Sequence, residues 1–172
     1  AWPTCNAYTA LTISAVTAGS VGTTCANAVS IPAFPYSAAN QTTACKGNDY
    51  TAATTGICNG NYAYGEDFVY TFTVASAQCI GISITGATNN DITFAIYQGG
   101  CPGGGGTCIG SGGVATLGAL SGSVNLPGAG TYYLIIDTQT PTSNVTFNIA
   151  INSFGAGAAN DRPFQATPLP FN

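Results

Sequence analysis

The sequence predicts an all-β protein: a two-sheet antiparallel β-sandwich of jelly-roll type with extended strand-like terminal arms. Apolar residues recur at every second position in one segment after another, the signature of strands with alternating faces. No apolar stripe with the helical period of about 3.6 residues interrupts them. Clusters rich in Gly, Pro and Asn separate the segments at short-strand spacing, as in a sandwich.

Taken in chain order, Leu11 to Val16 and Ala28 to Ile31 are weak strand candidates. Phe68 to Val74 is the clearest strand, with Phe68, Tyr70, Phe72 and Val74 on one side. Ile80, Ile82 and Ile84 alternate with Gly81, Ser83 and Thr85, and Ile92, Phe94 and Ile96 alternate with Thr93, Ala95 and Tyr97. Val114 to Leu117 and Val124 to Leu126 are weaker. Tyr132 to Ile136 and the set Val145, Phe147, Ile149 and Ile151 close the series. Alternation predicts one buried and one wet face per strand. Gly86 to Asp91, Gly99 to Gly106, Gly110 to Gly113 and Pro127 to Gly130 read as turns. A barrel or β-helix is the competing architecture, and the lack of a short fixed repeat counts against the helix. Gly103 to Gly106 is a hairpin loop and not a phosphate cradle, because no Lys-Ser/Thr follows it.

Composition narrows the function by exclusion. Only 5% of the 172 residues are charged, against about 25% in ordinary globular proteins, and Lys46 and Arg162 are the only cations. Two basic residues cannot neutralise a nucleic-acid backbone or hold an anionic membrane. With no His there is no imidazole relay and no imidazole metal ligand. No apolar run is long enough for a membrane span. The absence of a basic leader at Ala1 is read as removal of a signal peptide.

Seven cysteines in an acidic, Lys-poor chain point to disulfides and an oxidising, extracellular compartment. The odd number leaves at least one thiol free or bonded to another chain. Cys101 and Cys108 bracket the flexible Gly-rich loop, so a bridge there would pin it. Cys45 with Cys58 is the second expected pair, from proximity. The partners of Cys5, Cys25 and Cys79 stay open.

Several motifs then fall into a recognisable order: Cys25-Ala26-Asn27-Ala28, Gly47-Asn48-Asp49-Tyr50, Gly65-Glu66-Asp67-Phe68-Val69-Tyr70-Thr71-Phe72, Asp91 before a strand, and Ala129-Gly130-Thr131-Tyr132-Tyr133-Leu134. Over about residues 25 to 154 the chain resembles the bacterial pre-peptidase C-terminal type of β-sandwich, which recurs in tandem in secreted and cell-surface proteins. The resemblance implies a non-catalytic accessory or adhesive module; some relatives bind calcium or polymeric substrates. The expected division is an N-terminal strand-like arm and linker (1–24), the sandwich (25–154) and a C-terminal strand-like tail (155–172).

Both ends look like strands without a home. Gln165 to Pro170 parallels Asn27 to Pro32, the opening of the sandwich, and Thr9 to Ala15 resembles its closing segment, Thr146 to Asn152. A lone strand with an apolar face is unstable unless it pairs with a sheet edge. Pairing with a neighbouring copy is β-strand addition, and head-to-tail repetition builds an open filament. The expected function is therefore a secreted structural subunit that self-assembles into an extracellular, pilus-like or matrix filament by strand exchange. Leu11, Ile13, Phe164, Ala166, Leu169 and Phe171 would make the subunit contacts. The alternative is a non-catalytic adhesion module, or a carbohydrate- or protein-binding one, of a larger surface protein or tandem array.

Asp49, Glu66 and Asp67 are the candidate calcium ligands, since calcium takes carboxylate oxygens. Against them stands a plainer reading, in which Asp49 and Asp91 end turns and Glu66 and Asp67 mark a strand entry. No spaced ligand loop is present, and the sequence requires no cofactor. Adjacent on a strand, Glu66 and Asp67 point to opposite faces, so they are not a glycosidase pair, and no catalytic constellation is visible. Among the tyrosines, Tyr62 and Tyr64 are the best surface candidates for stacking on sugars or lying at subunit contacts, while Tyr70 and one of Tyr132 or Tyr133 read as core. Trp2 reads as an interface anchor. Asn40 and Asn144 begin N-glycosylation acceptor triplets.

Overall fold

A computed structural model describes residues 21–58, 60, 63–113, 118–141 and 143–154. The arm residues Leu11, Ile13, Phe164, Ala166, Leu169 and Phe171, together with Trp2, Tyr62 and the Val114 to Leu117 strand candidate, lie outside the described residues.

The described strands are β1 (Val29–Ser30), β2 (Tyr36–Thr42), β3 (Phe68–Val74), β4 (Gln78–Thr85), β5 (Ile92–Gln98), β6 (Thr107–Gly112), β7 (Leu120–Leu126), β8 (Gly130–Thr138) and β9 (Thr146–Ser153). Sheet A runs in the order β1-β3-β8-β5-β6 and sheet B in the order β2-β9-β4-β7. Setting aside the short β1, which pairs parallel to β3, the remaining eight strands take the jelly-roll order. The all-β two-sheet sandwich expected from the alternation is the observed fold.

The main core lies between the sheets. Phe68, Tyr70 and Phe72 of β3, Ile92, Phe94 and Ile96 of β5, and Leu134 and Ile136 of β8 meet Ile80, Ile82 and Ile84 of β4 and Phe147, Ile149 and Ile151 of β9. Those of β3, β4, β5 and β9 are on the expected apolar faces. Alternation puts them there, because a period of two matches the pleat.

Sheet A departs from the expectation of one wet face per strand. Its outer side carries Val69, Tyr97 and Ile135, which form a second buried cluster with Tyr50 and Cys101. The cover over that side is the long connection 43–67 between β2 and β3. The signal was in the sequence: Phe68-Val69-Tyr70 and Leu134-Ile135-Ile136 are apolar on both parities, the mark of a strand covered on both faces.

Two further strands were missed. β2 holds Ser37, Asn40 and Gln41, and its register against β9 shifts between Ala38 and Gln41, where Asn40 has φ 53°. β6 includes Gly110 and Gly112, which read as a turn. Those glycines let the sheets close up: a Cβ at Gly112 would collide with the Phe94 ring, and one at Gly110 would stand 3.3 Å from Val124.

Candidate functional site

The cover and the outer face of sheet A form the candidate site. Two disulfides staple it, Cys25–Cys101 across 76 residues and Cys58–Cys108 across 50. Neither is an expected pair. The Gly103 to Gly106 loop needs no bridge, because the amides of Gly104 and Gly106 both donate to the Cys101 carbonyl. That leaves Cys101 to point into the outer cluster, where the 3-10 turn Cys25–Asn27 brings Cys25. Cys108 lies opposite Tyr97 in the β5–β6 ladder, and Cys58 meets it there. Cys45 is disulfide-bonded too, but not to Cys58. Cys79 is the free thiol among the described residues, beside the Asn125 side chain.

Tyrosine hydroxyls tie the staples to the sheet. The Cys25 amide donates to Tyr50 Oη at 3.0 Å, and the Cys58 amide donates to Tyr97 Oη at 2.9 Å. Between cover and sheet lies a small cavity of about 20 Å³, bounded by Tyr50, Ile57 and Ala63 of the cover and by Tyr97, Ile135 and Asp137 of the sheet.

The acidic residues gather at the cover's end, but not as a calcium set. Asp67 and Asp137 are 0% and 5% exposed. Asp67 Oδ2 accepts the amides of Asp49 (2.7 Å) and Tyr50 (3.0 Å). Asp137 Oδ1 accepts the amides of Thr138 (2.5 Å) and Gly65 (3.2 Å). The two carboxyl groups lie near enough to act on each other's proton affinity, and both are raised. Burial pushes the Asp67 carboxyl up to about 9, and the Asp137 charge beside it adds to the shift. Burial pushes Asp137 up to about 7, opposed by its two amide donors.

Glu66 turns elsewhere: Oε2 accepts the Cys45 amide, and burial raises its pKa. Asp49 is exposed and gives its backbone amide, not its carboxylate, to the cluster. Among the described residues no group of three or more His, Cys, Asp or Glu side chains is placed to hold a metal ion. The expected Asp49, Glu66 and Asp67 ligand set is therefore not assembled. Successive residues at a strand entry aim apart, and Asp67 faces Asp137 instead. Asp91 behaves as the plainer reading expected, in a turn closed by the Asn89 side chain.

Of the tyrosines, Tyr64 is exposed and Tyr70 and Tyr132 are buried, as expected, and Tyr50 and Tyr97 are buried as well. Asn40 and Asn144 are both exposed. Asp137 and Tyr97 are the site residues that sequence reasoning undervalued. Aligning the Phe68 and Tyr132 segments as antiparallel neighbours would have set Asp67 across from Asp137.

No protein-family model matches the chain, and no curated protein matches it. Among solved structures it is similar to the pre-peptidase C-terminal domain of collagenase from Bacillus anthracis, with a TM-score of 0.49 and 18% identity over 72% of this chain and 93% of that one. It is also similar to PliG of Aeromonas hydrophila, a periplasmic inhibitor of g-type lysozyme, with a TM-score of 0.45 and 16% identity over 73% of this chain and 96% of that one. The first is a domain of the type that the Gly-Glu-Asp-Phe and Ala-Gly-Thr-Tyr-Tyr segments resemble.

Proposed function

We propose that the chain is a non-catalytic binding module acting outside the cytoplasm, with a protein or carbohydrate ligand engaged at the pocket face of sheet A. The observation that carries this reading is how the acidic side chains are used. Glu66, Asp67 and Asp137 accept backbone amides and hold the cover down, so they build a wall and are not left free to act on a substrate. The staples suit an oxidising compartment, and they fix the wall in place before any ligand arrives. Tyr64, exposed beside the cover's end, supplies an aromatic surface for stacking.

One observation favours a second reading, a filament built by strand exchange. β1 pairs with Tyr70 and Thr71 of β3, the Thr71 carbonyl also accepts from Ile31, and the Val69 amide donates to the Gly22 carbonyl, so the Phe72 to Val74 end of that sheet edge is the part that carries no strand among the described residues. Such an edge accepts an added strand. The arms containing Leu11 and Ile13, or Phe164, Ala166, Leu169 and Phe171, have the alternation to supply one from a neighbouring copy.

One experiment separates the readings. The full chain is incubated with insoluble cellulose, chitin and collagen, then sedimented, and the chain alone is viewed by electron microscopy. Retention on one polymer by a monomeric chain supports the module, and Tyr64→Ala weakens that retention several-fold. Retention on none overturns it. Fibres of the chain alone that vanish on deletion of residues 160–172 favour the filament.

A further inference from the structure

We propose that a single proton shared between the Asp67 and Asp137 carboxyl groups latches the cover onto sheet A, so that loss of the proton loosens the pocket wall. The consequence for ligand capture rests on the binding reading above; the latch itself does not.

The geometry makes the latch. The β3–β8 register runs from Val74↔Gly130 back to Phe68↔Ile136, and one step further sets Asp67 across from Asp137 on the outer face. Like charges directly opposite each other are destabilising even on a wet sheet, and here both groups are buried. Two of the four oxygens accept backbone amides. Asp67 Oδ2 holds the cover's amides at Asp49 and Tyr50, and Asp137 Oδ1 holds Gly65 and Thr138. Asp67 Oδ1 is buried and has no hydrogen-bond partner among the described residues. A proton on Asp67, donated to Asp137, satisfies both acids at once, as when two close carboxyls share one proton.

The surroundings offer no substitute for that proton. From the cover, Asp49 and Glu66 add negative charge, and Tyr50 adds a neutral phenol whose hydroxyl already accepts from Cys25. From β5 and β8 come Tyr97 and Tyr133. Lys46, the one cation among the described residues, lies over the Phe68 ring and donates to the Val21 carbonyl. Ionising both acids therefore sets two unscreened charges against each other, where Asp67 anchors one end of the cover and Asp137 the other.

Hydrogen exchange in the full chain tests this between about pH 5 and about pH 9, corrected for the intrinsic base-catalysed rate. A Cys79→Ser background removes thiol exchange. Protection of the Asp49, Tyr50 and Gly65 amides is expected to fall roughly tenfold or more towards alkaline pH, while β4 and β9 stay protected. In Asp67→Asn the amide oxygen keeps both backbone bonds and the NH2 group replaces the shared proton, so protection becomes independent of pH. Asp137→Asn behaves the same way and serves if the first variant fails to fold. Unchanged protection in the parent chain overturns the latch, as does an Asn pair that loses protection just as the acids do. Calcium that restores protection at alkaline pH also overturns it, by assigning the pair to a metal. No ligand enters the measurement, so its failure is distinct from failure of the binding reading.

Discussion

Tyr70 stands in the main core, fully buried, with its ring 4.8 Å from that of Phe68 and 6.1 Å from that of Tyr36. Its hydroxyl has no hydrogen-bond partner among the described residues, and burial drives the phenol pKa well above its ordinary value. A buried donor without a partner costs its desolvation, whereas the ring contacts do not need the oxygen. Tyr70→Phe is therefore expected to stabilise the protein by about 1 kcal/mol, read as a higher urea midpoint at unchanged m-value. A loss of stability would mean that the hydroxyl does have a partner. The sequence could place Tyr70 in the core from its parity, but it could not show whether the hydroxyl is satisfied. The same limit applied to Asp67. Its role depends on a residue 70 positions away (137 − 67), brought opposite by register and not by any local motif.

At the scale of elements, β3, β4, β5, β8 and β9 were legible because each buries one parity in the main core. β2 and β6 were not, because their bulge and glycines serve sheet geometry and imitate turns. The cover was the least legible element. Its sequence, rich in Thr, Gly and Asn, has no period, and its order comes from staples and carboxyl anchors distant in the chain. The cystine pairs show why: the flexible loop between Cys101 and Cys108 suggested a bridge to pin it, but backbone bonds close that loop without one. Removing Cys58–Cys108 by a double Ser substitution frees a 50-residue closure, for which loop entropy predicts about 4 kcal/mol. The loss is expected in chemical denaturation, with faster proteolysis inside 43–67 than in β4 or β9. Equal cleavage of cover and sheets would show that the staple does not hold the cover.

The whole molecule stacks three layers: sheet B, sheet A and the stapled cover, with one apolar core at each junction. The outer layer is where its few acids are buried, and this gives the protein an uncommon pH response. Asp67 and Asp137 bind protons more tightly folded than unfolded, since burial raises both above the ordinary aspartate value. Between the unfolded and folded values the native state holds more protons, so stability falls as pH rises. The contribution is complete below about pH 4 and is lost progressively through about 7 for Asp137 and about 9 for Asp67. Glu66, also raised by burial, slopes the same way at the acid end. The melting temperature is therefore expected to be highest in mild acid and to decline into the alkaline range, opposite to a protein held by exposed salt bridges. Added salt should not restore the alkaline loss, because ions in solvent screen buried charges poorly. A melting temperature that rises from pH 5 to pH 9, or recovers with salt, would place the acids in water and contradict the layered arrangement.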